Sequence, residues 1–320
     1  MHARYSDVSE YLESYVTFDE LSKTVFLKDS PLSTLDNGVL SFVGGDRDQL
    51  TTQIAEFYNQ IKFPNYNGME DYSSIYNKGR DNNFSKALDD EISWNARILE
   101  LGCGTGQLSL FLGRGARDVH GLDISIGSLS LAEDFRALHN IDNVRFFHMD
   151  VFDLHYQDNV FDVVISNGVL HHTKNAQQAF EILAKKTRPG GLIIIGLYHK
   201  YGRVVTKIKQ NFAKLIGNKI FKFDHYSRNL IDEGKRKAWV QDQFFNPHET
   251  THTPSEVLTW FDDNNVEFIN LLPHFYELGS AIFSPRNRDE ISKIEDFLLM
   301  FNGKQIKEGG FFVMVGKKNN

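Results

Sequence analysis

Between residues 96 and 198 short apolar runs alternate with stretches of helical periodicity. Residues 96–101, 118–122, 144–149 and 160–166 read as strands, and 192–198 is a fifth, apolar nearly throughout, as expected when both faces are covered. Helical patterns begin at 107–112 and run over 126–139 and 176–186, the last closed by the stop signal Pro189-Gly190-Gly191. This alternation predicts right-handed crossovers, hence a parallel sheet with helices on both faces, a doubly wound α/β class. A helix over 254–263, a strand over 267–272, a helix over 289–301 and a strand over 311–315 most simply extend that sheet. Residues 199–252 form an insertion after the fifth strand, far longer than an ordinary strand-to-helix connection. Within it Val204, Ile208, Phe212 and Leu215 recur at helical spacing, flanked by Arg203, Lys207 and Lys214. Residues 1–90 are expected to pack as a helical cap on a domain spanning 91–320.

Composition narrows the function classes. The chain has 320 residues, 41% hydrophobic and 24% charged, enough for a sizeable core in one large domain with an appendage or in two unequal domains. One cysteine excludes a disulfide framework. The first sixteen residues are charged and lack the apolar run of a signal peptide, and the apolar strands are far too short to span a membrane. The expected location is cytoplasmic. A net charge of −7 argues against a general nucleic-acid binder. The charge is unevenly spread: from His199 to Thr250 eleven Lys/Arg face five Asp/Glu, a local balance of +6.

The chemistry is concentrated in Leu99-Glu100-Leu101-Gly102-Cys103-Gly104-Thr105-Gly106. Three glycines at alternate positions join a strand to a helix, permit positive φ and let a ligand approach the backbone. The next strand ends at Asp123, where a carboxylate accepts hydrogen bonds from ribose hydroxyls. These features specify a nucleoside-containing cofactor, and both NAD and S-adenosylmethionine (SAM) fit that far. The dinucleotide fingerprint G-x-G-x-x-G fails here, because Gln107 occupies the sixth position. Glu100 discriminates further: a carboxylate before the glycines suits an ammonium or sulfonium ligand and repels a pyrophosphate.

Over residues 95–198 the chain resembles the class I, Rossmann-like SAM-dependent methyltransferases, in their small-molecule branch. The resemblance rests on Glu100, Gly102, Gly104 and Gly106, on Asp123, on Met149-Asp150-Val151, on the run from Phe161 to His172, and on Arg188-Pro189-Gly190-Gly191. It implies a mostly parallel seven-stranded sheet of order 3-2-1-4-5-7-6 with the last strand antiparallel. It also implies that Glu100 holds the methionine ammonium end, Asp123 with Ile124 the ribose, and Asp150 with Val151 the adenine edge. Gly102, Cys103, Gly104 and Gly106 would line the cofactor, and Asn167 would face the transferring methyl. Phe57-Tyr58, Phe63-Pro64-Asn65-Tyr66, Gly196-Leu197-Tyr198, Tyr201-Gly202-Arg203, Asp242-Gln243 and Pro247-His248-Glu249 are similar to recurring segments of one bacterial branch of that family.

His171 and Tyr198 are the catalytic candidates, His171 as a base near neutrality for an acceptor that must lose a proton. A histidine packed under the following helix fits the sequence equally well. Tyr66, His248 and His252 are the substrate candidates, with Glu249 between the last two. Cys103 reads as a small packing residue. His248-Glu249-Thr250-Thr251-His252 matches the zinc pattern H-E-x-x-H, which requires both histidines on one helix face. Pro247 precedes it and Thr253-Pro254-Ser255-Glu256 reads as a capping box, so the helix starts too late and no metal is expected. The expected activity is methyl transfer to an oxygen or nitrogen of a small or medium-sized acceptor, for which an anionic group would suit a basic lid. RNA or protein methylation, and a SAM-binding sensor or scaffolding subunit without turnover, are the alternatives. The basic insertion reads as a solvated face, as a lid, or as a contact for a membrane surface or RNA.

Overall fold

The computed structural model describes residues 11–14, 16–19, 24–28, 30–31, 33–34, 38–44, 47–61, 66, 71–230, 232–272, 282–288 and 310–320. The strands in chain order are β1 (Val16–Asp19), β2 (Thr24–Leu27), β3 (Ser30–Pro31), β4 (Ser33–Thr34), β5 (Leu40–Ser41), β6 (Arg97–Leu101), β7 (Asp118–Asp123), β8 (Val144–His148), β9 (Phe161–Asn167), β10 (Thr187–Tyr198), β11 (Val266–Leu272) and β12 (Phe311–Lys318). The helices are α1 (Gln49–Gln60), α2 (Tyr72–Asp81), α3 (Asn83–Glu91), α4 (Gln107–Leu112), α5 (Ile126–Leu138), α6 (Ala176–Lys186), α7 (Val204–Ile216), α8 (His225–Asn229), α9 (Glu233–Phe245) and α10 (Pro254–Asp263). No helix among the described residues is long and apolar enough to cross a membrane.

The main sheet runs β11-β12-β10-β9-β6-β7-β8-β5-β4. From β8 to β11 this is the order 3-2-1-4-5-7-6 that the resemblance implied, with β12 antiparallel to both β10 and β11. Two corrections follow. The sheet has nine strands instead of seven, because β5 pairs in parallel with β8 (Leu40 opposite Phe147) and β4 pairs with β5. The region before residue 90 is accordingly not a purely helical cap: it also holds a separate three-stranded sheet, β1-β2-β3. Strands of two to four residues are too short to show a period-two pattern, which is why the sequence does not announce them. The expected helix over 289–301 lies outside the described residues.

Alternation along the strands divides the core between the two sheet faces. Leu99, Val164, Ile193 and Ile195 face one layer with Phe180 and Leu183 of α6 and Phe261 of α10, where Phe180 and Phe261 stack at 5.3 Å. Ile98, Val163, Ile165 and Ile194 face the other, with Leu88 of α3, Leu110 and Phe111 of α4 and Leu129 of α5. The insertion keeps a small core of its own, Ala213, Ile220, Val240 and Phe244. Polar side chains join α1 and the end of α3 to the elements that follow. Asn59 of α1 accepts from the Gly127 backbone and the Ser125 hydroxyl at the start of α5 (3.0 and 3.1 Å). Buried Arg117 donates to the carboxylate of Asp89 and the carbonyls of Ile92 and Ser93 after α3.

Candidate functional site

The turn between β6 and α4 places all three loop glycines at positive φ, with values of 72°, 55° and 77° for Gly102, Gly104 and Gly106. A Cβ at Gly102 would collide with Val169, and one at Gly106 with Phe146. The loop is therefore fixed by packing beneath it as well as by backbone geometry. Asp123, at the carboxyl end of β7, accepts from the Gly104 backbone with one oxygen (2.8 Å) and from the Ser125 backbone with the other (2.7 Å). Asp150 follows β8 and accepts from the Phe152 backbone at 3.0 Å, capping the short turn that Val151 opens. The Ile124 carbonyl is met by the His148 ring at 3.1 Å. Asn167 ends β9 opposite Gly196, whose missing Cβ leaves room for the Asn167 amide and the Phe311 ring.

Glu100 is buried, and its carboxylate accepts from the Ser109 hydroxyl of α4. Burial raises its pKa to about 7, and the neighbouring Asp123 carboxylate adds to the rise. Burial pushes the Asp123 and Asp150 carboxyls upward as well. A cradle of positive-φ glycines beside a buried acid whose charge no cation answers among the described residues fits a cationic, nucleoside-bearing cofactor. If Glu100 holds the methionine ammonium, as the resemblance implies, it must be ionised to do so, and binding would then expel a proton below pH 7. Affinity for SAM should therefore fall by up to about tenfold per unit as pH drops below about 7, and level off above it. Calorimetric titration across this range checks the slope, and Glu100→Gln should flatten it; a flat profile in the unaltered protein would refute the assignment.

Cys103 is buried in the loop and its thiol is pushed well above its usual range, in keeping with a packing role. Tyr66, expected at the substrate, is found against the cofactor loop. Its hydroxyl donates to the Thr105 carbonyl and its ring stacks on Phe135 at 4.7 Å, so its polar end is committed to holding the glycine turn.

On the other side of β9 and β10, residues distant in sequence converge. The ring of His171 lies 4.0 Å from that of Tyr198 and 4.2 Å from that of His172. His171 is fully buried, and neither of its ring nitrogens has a hydrogen-bond partner among the described residues. Burial, reinforced by His172 and Arg203, holds its pKa well below the usual value, so the imidazole is neutral at pH 7. The Tyr198 hydroxyl accepts from Gln243 at 2.7 Å. Arg203 lies with its guanidinium 3.6 Å from the centre of the Tyr198 ring and forms a two-point ion pair with Glu249. Tyr58 of α1 donates to Asp242 of α9 (2.9 Å) and accepts from Asn246 (2.8 Å), and its ring packs edge-on to that of His172.

The H-E-x-x-H segment is extended, not helical. Thr253 and Glu256 form the capping box, with Pro254 as the first helical residue. His248 meets the site through its backbone carbonyl, which accepts from His172 at 2.7 Å, and its buried Nε2 has no partner among the described residues. Both ring nitrogens of His252 are engaged within the chain, one with Thr250 (2.8 Å) and the other with Glu256 (3.0 Å), and its ring packs edge-on to Trp260. Sequence reasoning did not assign Tyr58, Asp242, Gln243 and Arg203 to the site, although the branch-specific segments contain all four.

A family profile described as a methyltransferase domain matches residues 92–262, more than half of the chain. Among curated relatives, an uncharacterised protein of Synechococcus sp. is 24% identical over 279 residues, covering 76% of this chain and 64% of that protein. Phosphoethanolamine N-methyltransferase 1 of Arabidopsis thaliana is 28% identical over 149 residues, covering 46% of this chain and 30% of that enzyme. The chain thus spans less than two thirds of either relative. Haemonchus contortus phosphoethanolamine N-methyltransferase 2, solved with phosphomonomethylethanolamine and S-adenosylhomocysteine, aligns at 17% identity and a TM-score of 0.47, covering 83% of this chain and 60% of that one.

Proposed function

The chain belongs to the methyltransferase domain family, whose members of this class use SAM, and from that premise we propose that it methylates an oxygen or nitrogen of a small or medium-sized acceptor. The observation that carries the reading is His171: a buried, neutral imidazole with both nitrogens unpartnered among the described residues, just beyond the strand whose end carries Asn167. Unpaired polar atoms at such depth are costly unless a ligand answers them. The cofactor supplies a methyl on a sulfonium that is already a good leaving group. The chain then has to orient the acceptor, exclude water and accept a proton where the nucleophile carries one. His171 offers a neutral ring nitrogen that can take that proton, and the Tyr198 hydroxyl, kept protonated by burial, offers a group that can orient the acceptor. The network joining Tyr58, Asp242, Gln243 and Arg203 packs α1 and α9 against the His171 and Tyr198 rings. Burial of His171 and His172 beneath this network favours a small acceptor over an RNA or protein chain. The small acceptor named for the phosphoethanolamine relative supports the same size class.

The test is transfer of label from methyl-labelled SAM into an extract of a deletion strain, fractionated into small molecules, lipid, protein and RNA. Label is expected in the small-molecule or lipid fraction. His171→Ala should lower kcat by about 100-fold while leaving S-adenosylhomocysteine affinity unchanged. Label in RNA or protein would overturn the acceptor class. No label in any fraction with cofactor binding intact would favour a SAM-binding sensor or scaffold.

A further inference from the structure

We propose that the outward face of α7 is a docking surface for an anionic phospholipid bilayer. The argument starts from which side of this helix is turned inward. At about 100° per residue, Val204, Val205, Ile208, Phe212 and Leu215 fall in one continuous sector. An ordinary surface helix would bury that sector. Here Thr206 and Ala213, on the opposite side, are the buried positions, and the residues of the apolar sector are 46% to 82% exposed. Phe223, beyond the end of the helix, is 67% exposed. The helix is therefore amphipathic in the reverse sense for a water-facing element.

Charge selects the occupant. From residue 199 to 223 the sequence has seven Lys or Arg and no Asp or Glu, in a chain whose net charge is −7. Arg203 is consumed by Glu249, and Lys209 by Asp224 at 3.0 Å. Lys200, Lys207, Lys214, Lys219 and Lys222 are exposed around the apolar sector, with Lys207 and Lys214 seven residues apart along one border. Lysines bordering a stripe of Val, Ile, Leu and Phe match the boundary between anionic headgroups and acyl chains. A second copy of the chain is the poorer occupant, because a two-fold contact would set this cationic segment against itself. RNA would answer the lysines but gains nothing from the aliphatic centre of the stripe. The inference does not depend on the acceptor proposed above.

Flotation of the full chain with vesicles of phosphatidylglycerol and phosphatidylcholine, against phosphatidylcholine alone, tests it. The protein should float with the anionic vesicles and not the neutral ones, and partition should drop severalfold between about 0.1 and 0.5 M salt. Ile208→Asp with Leu215→Asp, and separately Lys207→Glu with Lys214→Glu, should each reduce partition by about tenfold or more. Unchanged S-adenosylhomocysteine affinity verifies that both variants fold. Absence of flotation with anionic vesicles, or equal flotation of the variants, overturns the proposal. So does self-association of the unaltered protein that the aspartate variant abolishes, or RNA retention that the glutamate variant abolishes while vesicle binding is absent.

Discussion

Replacing Asp123 with alanine is expected to weaken S-adenosylhomocysteine binding by about 100-fold or more, the largest single loss at the cofactor end of the site. The carboxylate has two duties. It fastens the Gly104 and Ser125 backbone N–H groups, which sets the glycine loop at its working distance from the start of α5. It also sits where ribose hydroxyls would reach it in the proposed assignment. Hydrogen bonds to a charged acceptor contribute about 1.5–3 kcal/mol each, so losing two accounts for a factor of that order. Asp123→Asn keeps the size and one acceptor oxygen, and should fall between the two. Calorimetric titration of the three proteins gives the ranking; equal affinity in all three would show that the loop is held by packing alone.

Replacing Arg203 with methionine should destabilise the fold by about 3–5 kcal/mol, the largest expected effect on stability. The Arg203 side chain is fully buried and that of Glu249 is 8% exposed. Without the guanidinium, a buried carboxylate would keep, among the described residues, only a 3.3 Å contact from Gln210. The cost arises from the orphaned charge, so removing Glu249 as well should recover much of it. Arg203→Met with Glu249→Met is therefore expected to unfold at higher urea than Arg203→Met alone. If the double variant is as unstable as the single, the stacking on Tyr198 and the hydrogen bond to Gln243 carry the stability instead. Methyl transfer should fall in both variants, because Tyr198 and Gln243 lose a shared neighbour.

What could be read from the sequence followed the range of the interactions. The glycine loop, Glu100 and Asp123 lie within 24 consecutive residues, and their spacing alone specifies a strand, a turn and a carboxylate. The capping box at Thr253 and Glu256 is equally local, and it correctly removed the H-E-x-x-H pattern from a helix. Tyr58 and Asp242 are 184 positions apart, and no periodicity links them. Their meeting depends on how α1 and the insertion both fold toward the ends of β9 and β10. Tyr66 is legible in the sequence as an aromatic residue near the site, but the Thr105 carbonyl it meets is not, because the contact spans 39 positions. The two-residue strands β4 and β5 carry too little pattern to be distinguished from loop.

The placement of β12 also has a consequence for synthesis. The strand that borders β10 on its outer side comes from residues 311–318, over a hundred positions downstream of Tyr198. While a ribosome is still making the insertion and α10, Ile193, Ile194 and Ile195 already exist as an unpaired margin, with no downstream partner yet translated. The βαβ segment from β6 to β9 can close behind them by short-range contacts. The margin itself stays open until the late strand arrives and slides between β10 and β11. For this chain the vulnerable interval thus runs from the synthesis of β10 to that of β12, while the apolar strand waits for its outer neighbour and gains most from chaperone binding.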